Sequence, residues 1–198
     1  MLKQLILKDF IVQWKFLMWY ILYPILFYMA LKDTGNVFVI MSVIFTVMAT
    51  IKTFEADGKN ESEVILNSLP ISKKQIVFAK YIVAIIILFI SVTVGCFAMG
   101  MKNGVNVVEF IETTVVTSIS FILVYLSFAL PLSFWLAYKK MVFITILILI
   151  APIVIFEMIF QINLEQIHLY NSLLFISSIC MFIASVFVSV KLYEKREF

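Results

Sequence analysis

KTFEADGKNESEVILNSLPISKKQIVFAKY, Lys52 to Tyr81, is the one long polar interruption in a chain that is otherwise apolar from end to end. It carries four acids (Glu55, Asp57, Glu61, Glu63) and five lysines (Lys52, Lys59, Lys73, Lys74, Lys80) around an apolar knot of Val64, Ile65, Leu66 and Leu69. Charge mixed with buried-type residues reads as a structured loop with a surface to touch. The fold is decided by what flanks this loop and by the side of a membrane on which it lies.

The flanks leave little choice. Of 198 residues 64% are hydrophobic and 14% charged, with a mean hydropathy of +1.11, whereas a soluble domain carries about 25% charged residues. A water-facing surface cannot be built from this inventory, so most of it faces lipid. A membrane barrel would show strands of about ten residues alternating polar and apolar, whereas a spanning helix needs about 20 continuous apolar residues. The runs here are long and continuous, which selects helices.

In chain order, residues 2–16 are mixed and read either as an amphipathic interfacial helix or as the leading turns of the first span. The spans are then expected at about Trp14–Leu31 (with Pro24), Val37–Ile51, Ile76–Met101, Thr113–Tyr138 (with Pro131), Met141–Phe160 (with Pro152 and Glu157) and Asn171–Val190. The second is about 22 Å long at 1.5 Å per residue, short of the roughly 30 Å hydrocarbon core, and so is expected to run on past Lys52. The fold class is an all-α polytopic membrane protein of six transmembrane helices in a single transmembrane domain, 1–198. Thirteen of the fifteen basic residues fall on one side of this arrangement, and only Lys32 and Lys102 on the other. Because basic loops are retained in the cytoplasm, both termini and the 52–75 loop are assigned there.

Within the loop, Asn60 followed by Glu63 has the spacing of a helix N-cap with a carboxylate three residues on, and Glu61 adds charge favourable to the first turn. This predicts a helix over 61–69, stopped by Pro70. At about 12 Å it is too short to stand alone in water and needs a surface to pack on. Ser72 and Gln75 form a second capping box, with Ile71 and Ile76 at the positions of a hydrophobic staple bracing the third span. The competing reading is an ordinary solvated connection whose leucines fold back on the membrane domain.

Glu55 and Asp57, then Leu66, Ser68, Leu69, Pro70, Ile71, Ser72, Lys73 and Lys74, followed by Ile76, Val77, Lys80 and Tyr81, resemble the cytoplasmic loop of type-2 ATP-binding-cassette (ABC-2) transporter permeases. The resemblance is to the small six-span bacterial permeases that include subunits of phenol-soluble modulin and lantibiotic exporters. It covers the loop closely, and the rest through span count and orientation. It implies a type-2 ABC exporter permease fold in a bacterial cell membrane, paired with a second permease chain as homo- or heterodimer. It further implies that the loop holds a coupling helix entering a cleft of a separate ATPase subunit. That partner would bind ATP and Mg, leaving no cofactor in this chain, and the pair would export a hydrophobic or amphipathic substrate such as a peptide or antimicrobial. Glu63, Leu66, Leu69, Pro70 and Lys73 would then be coupling contacts, while Glu55 and Asp57 would stabilise the loop or touch the ATPase. At Lys73 arginine would be commoner, and lysine offers a point charge there in place of a bidentate fork.

Other chemistries lack their residues. Gly95 and Gly100 have the glycine spacing of a phosphate-binding loop, but Met101 stands where its lysine belongs. His168 is the lone histidine, Cys96 and Cys180 each lie in an apolar run, and no GxSxG elbow occurs, so neither a metal site nor a catalytic constellation is expected. A net charge of +3, dispersed, gives no reason to expect nucleic acid as a partner. Glu157 reads either as a substrate-path or gate residue or as an acid wetted beyond the end of its span. Two further functions stay open: a non-transporting membrane receptor, immunity or assembly factor, and a secondary transporter coupled through an intramembrane group such as Glu157.

Overall fold

The computed structural model describes residues 2–30, 35–59, 71–100, 110–136 and 171–195. Five long helices make up these residues: α1 (Leu2–Ala30), α2 (Gly35–Lys59), α3 (Lys73–Gly100), α4 (Val116–Trp135) and α5 (Asn171–Lys195). A π-helical turn, Ile111–Val115, leads into α4. Among the described residues there is no strand, and three helical stretches are long and apolar enough to cross a membrane: Lys73–Phe97, Val116–Trp135 and Ser172–Lys195. The expected fifth span with Pro152 and Glu157, and the expected helix over 61–69, lie outside the described residues.

Residues 2–16 and the first apolar segment form one continuous helix. α2 runs past Ile51 to Lys59, so the first eight residues of the polar stretch are helix and the connection begins later than residue 52. The reason lies in the spacing of Ser42, Thr46, Thr50, Thr53 and Asp57, which puts all five on one helical face, and all five are buried. The Thr46 hydroxyl donates to the Ser42 carbonyl, Thr50 to Thr46 and Thr53 to Thr50, at 2.7–2.9 Å. Hydroxyls satisfied on their own helix let a polar face be buried and neighbours approach closely. Across that face Thr46 meets Ser91 of α3 at 3.2 Å, and Gln13 of α1 donates to the Ala49 carbonyl at 3.0 Å.

The start of α3 is built as its capping box demands. The Gln75 amide donates to Ser72 Oγ and the Ser72 amide to Gln75 Oε1, each at 3.3 Å. Ile71 and Ile76 join the same apolar core. Helix α1 lies along α3, and α4 lies along α5, with α2 touching both pairs. The core between them holds Val47, Phe54, Val77, Ala84, Leu88, Ile122, Leu126 and Leu130.

Gly95 marks the tightest approach. A Cβ there would stand 2.6 Å from Cε2 of Phe38, a fully buried ring that packs edge-on against Phe110 at 5.1 Å. Gly95→Ala is expected to destabilise the folded protein by about 1–3 kcal/mol, the usual range for overpacking. Phe38→Leu in the same chain should recover part of the loss in thermal unfolding of the solubilised protein.

Candidate functional site

At one end of the bundle α1, α2 and α3 bring four charged side chains together. Lys80 on α3 and Asp9 on α1 are 5% and 3% exposed, and Asp57 on α2 is 5% exposed. The Lys80 ammonium donates to Asp9 Oδ1 at 3.1 Å and to the Thr53 carbonyl at 3.3 Å, and pairs with Asp9 Oδ2 at 3.0 Å and Asp57 Oδ2 at 2.5 Å. Lys8, about one-third exposed, donates to the other Asp57 oxygen at 2.5 Å and lies 3.5 Å from Asp9. Two ammonium groups and two carboxylates sum to zero, so the network carries no net charge into its dry setting. A Phe54 ring lies 5.1 Å beneath Lys80 Nζ and closes the remaining side.

Local structure explains the meeting. Asp9 continues the inward face of α1 through Leu5 and Gln13, at intervals of four. Asp57 ends the buried hydroxyl face of α2, and Lys80 stands two turns into α3, beside the buried Val77 and Tyr81. Burial would raise the pKa of Asp57, which lies beyond the apolar part of α2. The Lys80 and Lys8 charges, and the hydrogen bonds they donate, outweigh it and hold the carboxyl below its ordinary 3.8. Its contribution to stability is therefore present above the unfolded pKa and is lost as pH falls through the lower, folded value.

From this network neutral contacts reach the other pair of helices. Phe54 meets Phe134 of α4 at 5.3 Å, and Phe134 meets Tyr193 of α5 at 5.2 Å. The Tyr81 hydroxyl shares hydrogen bonds with Ser185 at 3.0 Å and Ser189 at 2.8 Å, both on α5, while its ring packs on Phe182. A neutral hydrogen bond contributes about 0.5–1.5 kcal/mol net. Removing one partner from a buried ion pair costs about 3–5 kcal/mol, because the other charge is left unpaired. Deleting one charge from the α1–α2–α3 network is thus expected to cost more than deleting one hydroxyl from the seam between α3 and α5.

Of the residues singled out in the sequence, Asp57 turns inward to Lys8 and Lys80, and Glu55 pairs with Lys52 at 2.6 Å. Lys73 donates to the Glu194 carbonyl at 3.2 Å, a cation at the carboxyl end of α5 where the helix dipole favours it. Glu63, Leu66, Leu69, Pro70 and Glu157 lie outside the described residues. Sequence reasoning missed Asp9 altogether, and gave Lys8 and Lys80 no partner: both counted toward orientation, and Lys80 also toward the family resemblance. The signals were present: Asp57 extends the 42–46–50–53 spacing, and Asp9 recurs at four residues from Leu5 and Gln13.

Long apolar helices, hydroxyl-lined contacts between them and a neutral knot of buried charge at one end define a helical membrane protein with a reinforced polar end. The chain belongs to a family described as ABC-2 family transporter protein, whose model matches residues 4–194. It is a membrane transport component and not itself catalytic. No curated protein and no solved structure matched the chain.

Lys80→Met is expected to lower stability by about 3–5 kcal/mol, whereas Lys74→Met, at an exposed pair with Glu194 4.0 Å away, should change it by less than about 1 kcal/mol. Thermal unfolding in lipid nanodiscs measures both.

Proposed function

We propose that this chain is the permease subunit of an ATP-driven exporter, with six spans, both termini in the cytoplasm, and a second permease chain beside it. A separate ATPase subunit binds ATP and Mg and docks on the polar stretch after α2. The residues that meet it are Glu63, Leu66, Leu69, Pro70 and Lys73, with Glu55 and Asp57 supporting the stretch from α2. Closure of the ATPase pair displaces the stretch, and the helices it joins carry the movement into the membrane. The substrate is hydrophobic or amphipathic, a peptide or antimicrobial among the candidates, and the setting is a bacterial cell membrane. Glu157 is assigned to the substrate path.

The observation that carries this reading is the family match over nearly the whole chain. It is supported by a local one: the helices flanking the polar stretch, α2 and α3, are joined to each other by buried charge, Asp57 to Lys80. A transporter driven by a partner needs such stiffness where the partner pushes, because a ligand or partner shifts an equilibrium only through contacts that differ between its states.

Leu66→Asp should abolish co-purification with the ATPase, or reduce ATP-dependent transport in reconstituted vesicles to background, while leaving the amount of membrane-inserted chain unchanged. Full transport by this variant would reject the docking assignment. Vesicles of the native complex that bind substrate but accumulate none with ATP would instead favour a receptor or immunity factor.

A further inference from the structure

Helix α1 is the outlier in the proposed coupling route. The polar stretch after α2 is joined by the chain to α2 and α3 alone, and α1 has no covalent link to it short of the whole of α2. Yet α1 supplies two of the four charges in the buried network. Asp9 holds Lys80 through both oxygens, and Lys8 holds Asp57. Each of the three helices is therefore tied to the other two by opposite charges with little water to replace a lost partner. The contacts to α4 and α5 have a different character: Tyr81 of α3 meets the neutral hydroxyls of Ser185 and Ser189 and the ring of Phe182 on α5, Phe54 of α2 packs edge-on against Phe134 of α4, and the charged contacts, from Lys73 and Lys74 to Glu194, lie at the exposed end. Hydroxyl hydrogen bonds can exchange partners along a helix, and aromatic edges can slide. The buried Lys80 ammonium cannot leave its two carboxylates without losing its own partners and leaving Lys8 alone to serve both acids.

We propose that Lys8, Asp9, Asp57 and Lys80 form an ionic lock that makes α1, α2 and α3 one rigid body, and that Lys80 is the positioning residue through which α1 is driven. The inference rests on the exporter reading and adds what that reading leaves open: which helices move together and where the molecule shears. The moving unit is α1–α2–α3, and the slip plane is the seam against α4 and α5, whose buried contacts are rings and hydroxyls and whose ionic contacts to Glu194 are exposed to water. The lock conducts no ion and binds no substrate, because each charged group is already engaged by its neighbours in the network.

The test uses the full permease–ATPase complex in nanodiscs, with Cys96 and Cys180 replaced by serine and spin labels placed at exposed positions. One pair of labels, at Leu7 on α1 and Phe78 on α3, lies inside the proposed rigid body; a second, at Met18 on α1 and Ile183 on α5, spans the seam. Trapping with ATP and vanadate should shift the Met18–Ile183 distance and leave the Leu7–Phe78 distance unchanged. In Asp9→Asn with Lys80→Met, which removes one charge of each sign and leaves the Lys8–Asp57 pair intact, the Leu7–Phe78 distribution should broaden. Substrate exported per ATP should then fall about tenfold, within the range of about 5- to 150-fold usual for coupling between sites, while ATP hydrolysis persists. Lys80→Arg, which keeps the charge, should restore much of the export. A Leu7–Phe78 distance that shifts with nucleotide in the otherwise unaltered complex overturns the lock even if the double variant fails to fold. Undiminished export per ATP in a folded double variant overturns it too. If neither pair responds to nucleotide and no ATPase associates, the exporter reading itself fails, a result distinct from movement of both pairs.

Discussion

Lys80 carries a full positive charge at a position almost closed to water, and the arrangement of the neighbouring helices follows from how that charge is neutralised. A single ammonium in such a place would be intolerable without opposite charge at contact distance. Asp9 and Asp57 provide it from two other helices, so satisfying one side chain forces α1, α2 and α3 into a defined mutual register. Lys8 then offsets the surplus carboxylate. Hydrophobic contact could have brought the same helices together but would not fix their register, because apolar surface is as content against lipid as against another helix.

The rest of the described structure is fitted around this constraint. The hydroxyl face of α2 leads down to Asp57 with each threonine satisfied on its own helix, which keeps a polar surface compatible with an apolar surround. Gly95 gives Phe38 the room it needs at the other end of the α2–α3 contact. Phe54 closes over the ammonium and starts a chain of rings toward α4 and α5. Lys73 reaches the carboxyl end of α5, so the first turn of α3 is held by its own capping box on one side and by a helix terminus on the other. Two kinds of junction result: buried charge joins α1, α2 and α3, while rings, hydroxyls and the exposed contacts to Glu194 join them to α4 and α5.

How much of this was legible in the sequence depended on the kind of signal. Helices were read from unbroken apolar runs, which gave the all-helical class, while the family was read from the resemblance of the polar loop's residues. The Ser72–Gln75 box was read from a spacing that local hydrogen bonding alone enforces, and it is present atom for atom. The short apolar run of the second span predicted that α2 continues past Lys52, and it does, to Lys59; the inward turn of Asp57 was not read, because charge was taken to mean solvent. Asp57 is charged and buried, a combination that depends on partners 49 residues before it and 23 after. No local pattern announces those partners. Asp9 was lost for the same reason, within a stretch whose mixed composition suggested an interface. Reading the 42–46–50–53–57 spacing as one face would have carried the helix to its end and shown that Asp57 points inward.

A double-mutant cycle between Asp9 and Lys80, followed by reversible unfolding in lipid, tests the central claim most directly. If the two charges hold α1 to α3 as described, Asp9→Asn and Lys80→Met will each destabilise the protein strongly. Combined, they will cost well under the sum, with a coupling of about 1–3 kcal/mol. Additive losses, with each single substitution near neutral, would show that the helices are held by something other than the buried charges.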